Sequence, residues 1–305
     1  MNIKEKLLKQ LATSEKIADA SKLMRLLQNP VKYALAIGHR KLVYNKTKEG
    51  ILKATNTFFG KKMTVMLPAG TDIYLTGAKS HTSEIRLAKF LIHELNKGNV
   101  FLDVGAHFGY FTMLAATLVG KEGKVFSIEA SKYTFKVLKK NTSEEATIHC
   151  FHTAIANNKE PLKFYEFPIL FSEYNSTEVN QYIHEPWYQK NKPTKFLVAC
   201  TTLNDFINEQ KIEPKIIKID VEGAENKVIE GGLKYFTTHS PIVVMEYLIP
   251  SRYNVAHRQA TEMLRNIGYK TMLINKNGNL KSCEDIEAYL EEFELESDNV
   301  VFVKA

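Results

Sequence analysis

Val100-Phe101-Leu102-Asp103-Val104-Gly105-Ala106-His107-Phe108-Gly109-Tyr110 joins an apolar run, a turn with two glycines and the start of a second apolar stretch. The run reads as a buried strand and residues 110–119 as the helix that follows it. Glycine at such a turn lets the backbone come close to a ligand, beside a helix N-terminus. Working outward, strands are expected at 124–128 and 147–151 with a helix at 132–140 between them. Further on come a strand at 216–219, a helix at 224–229, a strand at 242–245, a helix at 256–267 and a closing pair at 270–274 and 300–303. Before the turn, a helix at 83–96 ends near Gly98, and residues 64–67 and 71–75 flank Pro68-Ala69-Gly70 as a short hairpin. Apolar strands alternating with helices predict an α/β fold, a doubly wound parallel sheet covered on both faces.

The chain has 305 residues, 44% hydrophobic and 25% charged, which excludes disordered, collagen-like and coiled-coil classes. Cys150, Cys200 and Cys283 form neither a disulfide framework nor a CxxC metal site, as fits a reducing compartment. No apolar run approaches the roughly 20 residues of a membrane helix, and the lysine-bearing N-terminus lacks a signal peptide's apolar stretch. A cytoplasmic location is therefore expected. Residues 1–65 hold 14 Lys/Arg and 4 Asp/Glu, a balance of +10; the whole chain is +7, which leaves −3 on the other 240 residues. Leu7, Leu8, Leu11, Ile17, Ala18, Leu23, Met24 and Leu27 recur at nearly helical spacing in this basic part. Amphipathic helices of this kind either pack on the body or lie against an anionic surface such as a membrane; both readings stay open.

The turn glycines are spaced GxxxG, not the GxGxxG of a dinucleotide site, and Asp103 would repel a pyrophosphate. An acid there suits an ammonium group instead, and S-adenosylmethionine (SAM) carries one. Glu129, closing the second strand, stands where a nucleoside-binding sheet places an acid on the ribose hydroxyls.

Lys215-Ile216-Ile217-Lys218-Ile219-Asp220-Val221-Glu222-Gly223-Ala224-Glu225, taken with Asp103-Val104-Gly105-Ala106 and Val228-Ile229-Glu230-Gly231, resembles the FkbM family of SAM-dependent methyltransferases. That family typically reads DVGANxG, FEP, KIDVEGAE and VLxG; this chain reads DVGAHFG, IEA and KIDVEGAENKVIEG. Thr202-Leu203-Asn204-Asp205-Phe206 and Pro241-Ile242-Val243-Val244-Met245-Glu246 are similar to its TLDDL and PIILIE segments. The departures are His107 for Asn and Ala130 for Pro, and the resemblance covers residues 84–246. It implies a mostly parallel, seven-stranded, Rossmann-like sheet in a class I methyltransferase domain at 64–305, with an aromatic-rich insertion at 157–200 and a basic helical extension at 1–63. Asp103, Gly105, Ala106, His107, Gly109, Glu129, Ala154 and Asp220 are then the expected cofactor contacts. It also implies O-methylation, of a sugar in a glycan or of a natural product, with a non-catalytic SAM-fold scaffold as the rival. IDVEG stands where nucleic-acid amino methyltransferases carry (N/D)PPY, so no nucleic-acid partner is expected.

Asp220 and Glu222 fall at the carboxyl end of the fourth strand, beside the switch point where such sheets bind ligands. Two carboxylates there could orient an acceptor hydroxyl and take its proton. His107, with an ordinary pKa near neutrality, is the third catalytic candidate. Glu246 could complete a carboxylate cluster for Mg²⁺, although no metal is expected. Nine aromatics lie in residues 164–196, where the chain average of 10% gives about three. They are either an acceptor site with a cover or a small core of their own.

Overall fold

The computed structural model describes residues 2–304. Its strands are β1 (Ile51–Asn56), β2 (Lys62–Leu67), β3 (Val100–Val104), β4 (Lys124–Ile128), β5 (Ile148–Phe151), β6 (Ala154–Ala156), β7 (Leu162–Glu166), β8 (Thr194–Val198), β9 (Cys200–Thr202), β10 (Ile216–Ile219), β11 (Ile242–Leu248), β12 (Tyr269–Ile274), β13 (Leu280–Ser282) and β14 (Ser297–Lys304). The helices are α1 (Ile3–Asp19), α2 (Lys22–Gln28), α3 (Pro30–Gly38), α4 (Asn45–Thr47), α5 (Thr71–Thr76), α6 (Thr82–Glu94), α7 (Tyr110–Val119), α8 (Lys132–Thr142), α9 (Leu203–Gln210), α10 (Glu225–Thr238), α11 (Val255–Asn266) and α12 (Ile286–Glu292). A π-helical turn, His39–Tyr44, links α3 to α4.

The main sheet has the order β13-β12-β14-β11-β10-β3-β4-β5. Only β14 and β13 run against the others, so the fold is the doubly wound, mostly parallel sheet expected. It has eight strands rather than seven, because the three-residue β13 extends the edge beyond β12. The expected hairpin is also corrected. Residues 71–75 lie in helix α5, and β2 pairs with the preceding β1. The Asp72 carboxylate takes the Ile73 and Ser80 N–H groups and turns Ile73 and Tyr74 inward, so tertiary packing overrides a β-prone segment.

Side chains alternate across the sheet. Leu102, Val104, Ile217, Ile219, Val243 and Met245 face the core under α9, α10 and α11. Phe101, Ile216 and Val244 face the other core, which α1, α6 and α7 also fill. On that second face the same alternation carries a polar row. Asp103 is registered with Ser127 on one side and Lys218 on the other. Thr112 of α7 donates to Asp103 Oδ2 at 2.7 Å and lies 2.9 Å from Ser127 Oγ. Lys218 Nζ is 3.6 Å from Asp103 Oδ1 and 2.9 Å from Asp220 Oδ2, with the Lys218 and Asp103 side chains only 4% and 1% exposed.

Helix α10 crosses β6 so closely that a Cβ on Gly231 would stand 2.1 Å from the Ala156 carbonyl oxygen. Gly231→Ala is therefore expected to cost about 1–3 kcal/mol, the range for overpacking. Gly38→Ala, with nothing within 4 Å of its Cβ, should be neutral or gain up to about 1 kcal/mol. Urea unfolding of the two variants side by side checks the difference in sign. Lys218→Met strands the Asp103 carboxyl in the sheet and should lose about 3–5 kcal/mol in the same assay, most of it recovered by adding Asp103→Asn. A Lys218→Met variant as stable as the parent would remove this ion pair from the supports of the fold.

Candidate active site

The sheet reverses its winding direction between β3 and β10, and a cavity of about 330 Å³ opens at the carboxyl ends of these strands. Gly105 closes β3 at φ +83°, and a Cβ there would lie 1.8 Å from the Asp220 carbonyl oxygen. This glycine is needed first for the approach of two strand ends, and only beyond that for any ligand. The Gly105 and Ala106 N–H groups both donate to the Ile128 carbonyl, which ties the turn to the end of β4. Glu129 is buried just past β4 and accepts from the His107 N–H on one oxygen and the Ser131 N–H on the other, each at 2.8 Å. Burial pushes its pKa up to about 7 against these two donors.

His107 occupies the left-handed region at φ +49°, which suits the Asn usual at this position better than His. Its Nε2 lies 3.1 Å from Ser172 Oγ and its ring packs on Phe108. Burial pushes its pKa down to about 4, so the ring is neutral near pH 7.

The loop after β10 is held from three directions. Glu225, at the start of α10, accepts from the Val221 and Gly223 N–H groups at 3.2 and 3.0 Å. Ser176 donates to the Glu222 carbonyl at 2.6 Å, and the Tyr182 hydroxyl to Glu222 Oε2 at 2.8 Å. These bonds keep Glu222 at φ +57°, a strained position for a side chain of this size. Asp220, Glu222 and Glu246 of β11 each offer an oxygen, all within 4.8 Å of one another. Burial alone would raise the Asp220 pKa, but the Lys218 ammonium offsets this and holds it below the ordinary value. Burial, together with the Glu246 and Asp220 charges, pushes Glu222 well up. Burial and Asp220 push Glu246 to about 8. Three carboxyls at this spacing can share protons, bind a cation or accept from a hydroxyl, and their oxygens suit a divalent ion.

A second charged wall comes from separate segments. Lys79 pairs with Glu84 of α6 and lies 3.5 Å from Glu173 in the insertion. Burial pushes Glu84 to about 7, while Lys79 keeps Glu173 below the ordinary carboxylate range.

Of the expected residues, Gly105, His107, Glu129, Ala154, Asp220 and Glu222 line this one cavity. Asp103 stands behind Lys218 instead of on the wall, Ala106 is turned into the β4 contact, and Gly109 packs against Leu138. Lys218, Lys79, Glu84, Glu173 and Arg252 are lining residues that the sequence reading passed over. Lys218 had a signal, as the single charge inside the apolar Ile216–Ile219; the others had none. Of the nine aromatics at 164–196, Phe164, Tyr174 and Tyr182 reach the cavity. Seven of the nine, the last two among them, pack into one cluster, with Trp187 stacked on Phe171 at 4.5 Å and on Tyr174 at 5.1 Å.

The family described as methyltransferase FkbM domain matches residues 103–271, which contain the end of β3, the glycine turn, Glu129, the insertion and all three clustered carboxylates. A search of the curated proteins finds no match. Among solved structures, the methyltransferase FkbM from Methylobacillus flagellatus KT aligns at 12% identity and TM-score 0.39, over 77% of this chain and 52% of that one. This chain thus spans about half the length of that relative. An SAM-dependent O-methyltransferase from Thermotoga maritima aligns at 11% identity and TM-score 0.41, over 83% and 77% of the two chains. The fibrillarin pre-rRNA processing protein of Methanococcus jannaschii does so at 13% identity and TM-score 0.41, over 86% of each. With the family match taking in more than half of its length, the chain belongs to the FkbM family of SAM-dependent methyltransferases.

Proposed function

We propose that the enzyme methylates a hydroxyl group of a polyhydroxylated acceptor, such as a sugar unit of a glycan or of a natural product. The observation that carries this reading is the set of three carboxyls, Asp220, Glu222 and Glu246, opening into the cavity within 4.8 Å of one another. A hydroxyl must lose its proton as it is alkylated, which calls for an acceptor group of suitable pKa at the site.

The residues present fit SAM. Acids outnumber bases on the cavity wall, with Glu84, Glu129, Glu173, Asp220, Glu222, Glu246 and Glu296 against Lys79, Lys218 and Arg252. A ligand of net positive charge would draw the raised carboxyls into their ionised forms, and Glu129 has lone pairs left for a diol. When bound, SAM supplies a methyl group on a sulfonium sulfur that is already a good leaving group. The chain's own task is then positioning and proton removal. Asp220, kept ionised by Lys218, accepts a hydrogen bond from the acceptor hydroxyl and orients it. Glu246, with a pKa near 8, is the stronger proton acceptor once ionised, and Glu222 can pass or share that proton. His107, pushed down to about 4, is the weaker base. Tyr174, Thr177, Arg252 and Asn299 supply polar contacts for further acceptor hydroxyls.

Labelled SAM with a panel of sugar, polyol, phenol and amine acceptors tests the reading, with the product identified by mass spectrometry. A base-stable methyl ether is expected; an N-methyl or methyl ester product would overturn it. Glu246→Gln should keep SAM affinity within a few-fold while lowering turnover by about 10²–10⁴, the usual contribution of a general base. Turnover of the parent should rise through about pH 8 as Glu246 ionises, and that rise should vanish in the variant.

Stability should run the other way. Glu84, Glu129 and Glu246 titrate in the fold at about 7, 7 and 8, above their unfolded values. The folded state therefore holds more protons than the unfolded one between about pH 4.5 and 8, and stability falls as pH rises through that window. Thermal unfolding without ligand should show Tm decreasing from pH 5.5 to 8.5. SAM should tighten its binding over the same interval, releasing protons, as calorimetry in two buffers of different ionisation enthalpy would register.

A further inference from the structure

The span from Ala20 to Lys48 contains seven Lys/Arg and no Asp/Glu. The whole chain carries +7, so this one span accounts for the net charge and leaves the remainder neutral. It lies outside the FkbM match and contributes nothing to the wall of the catalytic cavity. Its neighbour α1 is seated on the body: Leu7 and Leu11 are buried, Ser14 bonds the Thr76 carbonyl, and Glu15 pairs with Lys89 of α6. The span itself is different. Helix α2 buries no residue, and from α3 to Tyr44 the fully buried residues are Ala36, His39 and Tyr44, with Leu35 partly buried against the core. Leu23, Met24, Leu27, Val31, Leu42 and Val43 are left in solvent, with Val31 75% and Leu42 72% exposed.

Aliphatic tips among lysines and arginines, without an acid, match the headgroup region of an anionic bilayer. There the tips leave water, and the long basic side chains reach lipid phosphates while their stems stay apolar. We infer that this face docks the enzyme on an anionic lipid surface. Charge argues against the other occupants. A symmetric dimer through this face would set up to six cations against six with no acid between them, the seventh, Lys32, being turned onto Thr55 and the Tyr74 carbonyl of the body. Nucleic acid would use the cations but leave the exposed leucines, methionine and valines unmatched, since stacking needs aromatic rings. The docked segment also touches the active-site wall. The Leu170 N–H donates to the buried Tyr44 hydroxyl at 3.0 Å, two residues before Ser172 and its contact with His107. Docking would thus place the bilayer beside the insertion that borders the cavity.

Co-sedimentation of the full chain with phosphatidylcholine vesicles, and with vesicles of phosphatidylcholine and phosphatidylglycerol, tests the inference. Binding to the mixed vesicles alone, weakened by salt, is expected. Arg40→Glu/Lys41→Glu should weaken it about 25-fold or more, at about fivefold per cation. Leu27→Glu/Val31→Glu should weaken it at least about tenfold through lost burial and added charge. All four positions are exposed, Arg40 and Lys41 within the π turn, and an unchanged Tm confirms that both variants remain folded. Absence of binding to the mixed vesicles, equal binding to phosphatidylcholine alone, or full binding by both variants would overturn the inference. So would a dimer that Leu27→Glu/Val31→Glu dissolves, or retention by duplex DNA that matches the vesicle affinity.

Discussion

The Lys218 ammonium has to be matched by negative charge, because it is buried in the middle of the sheet, where an unpaired charge is costly. Asp103 matches it from the adjacent strand and Asp220 from two residues along its own. That requirement fixes the register of β3 against β10, since a slip by one residue would turn Lys218 or Asp103 into the opposite core. It also sets the chemistry of the cavity. One buried cation keeps Asp220 ionised, and the resulting charge helps push Glu246 and Glu222 upward. The separation of an ionised carboxylate from two readily protonated ones follows from where a single lysine is placed.

The DVEGAE segment, Asp220 to Glu225, divides its labour in a way that the letters do not disclose. Asp220 and Glu222 point into the cavity, whereas Glu225 turns back on the loop and holds the Val221 and Gly223 amides. Glu222 keeps its left-handed conformation only because the loop is bonded at its amides, its carbonyl and its side chain together. The glycine at the end of the following VIEG answers to β6, and Gly105 to the backbone of Asp220. Two glycines of the family pattern thus serve the packing that brings the site together before they serve any ligand.

The alternation of strands and helices was legible because each parallel strand is buried on both faces and reads as an unbroken apolar run. Glu129, Asp220 and Glu222 were legible for the same reason, since they mark where such runs stop. The short hairpin was misread because residues 71–75 are β-prone by composition, and the bonds that make them helical come from Asp72 and the packing of Ile73 and Tyr74. Lys79, Glu84 and Glu173 could not be read together, since 94 residues separate the lysine from Glu173 and only the folded insertion closes that gap. Asp103, expected at the ammonium of a cofactor, meets Thr112 and Lys218 in the fold. A strand acid two residues before a glycine turn does not declare whether it faces a ligand or a lysine on the next strand.

The aromatic insertion limits what the acceptor can be. Stacking on Trp187 takes up one face each of Phe171 and Tyr174, so fewer ring faces are left for an acceptor than separate rings would offer. The insertion meets the catalytic wall through polar bonds: Tyr182 to Glu222, Ser172 to His107, and Glu173 to Lys79. An acceptor entering beside it therefore encounters hydrogen-bonding groups held on a rigid apolar base. Recognition by such a surface depends on the pattern of hydroxyls in the acceptor more than on its apolar area, because an unmatched buried donor or acceptor costs about 1–3 kcal/mol. On the proposed reading, a polyol that satisfies the wall would be selected over an apolar compound of equal size, and the same polar wall would hold its reacting hydroxyl toward the three carboxyls.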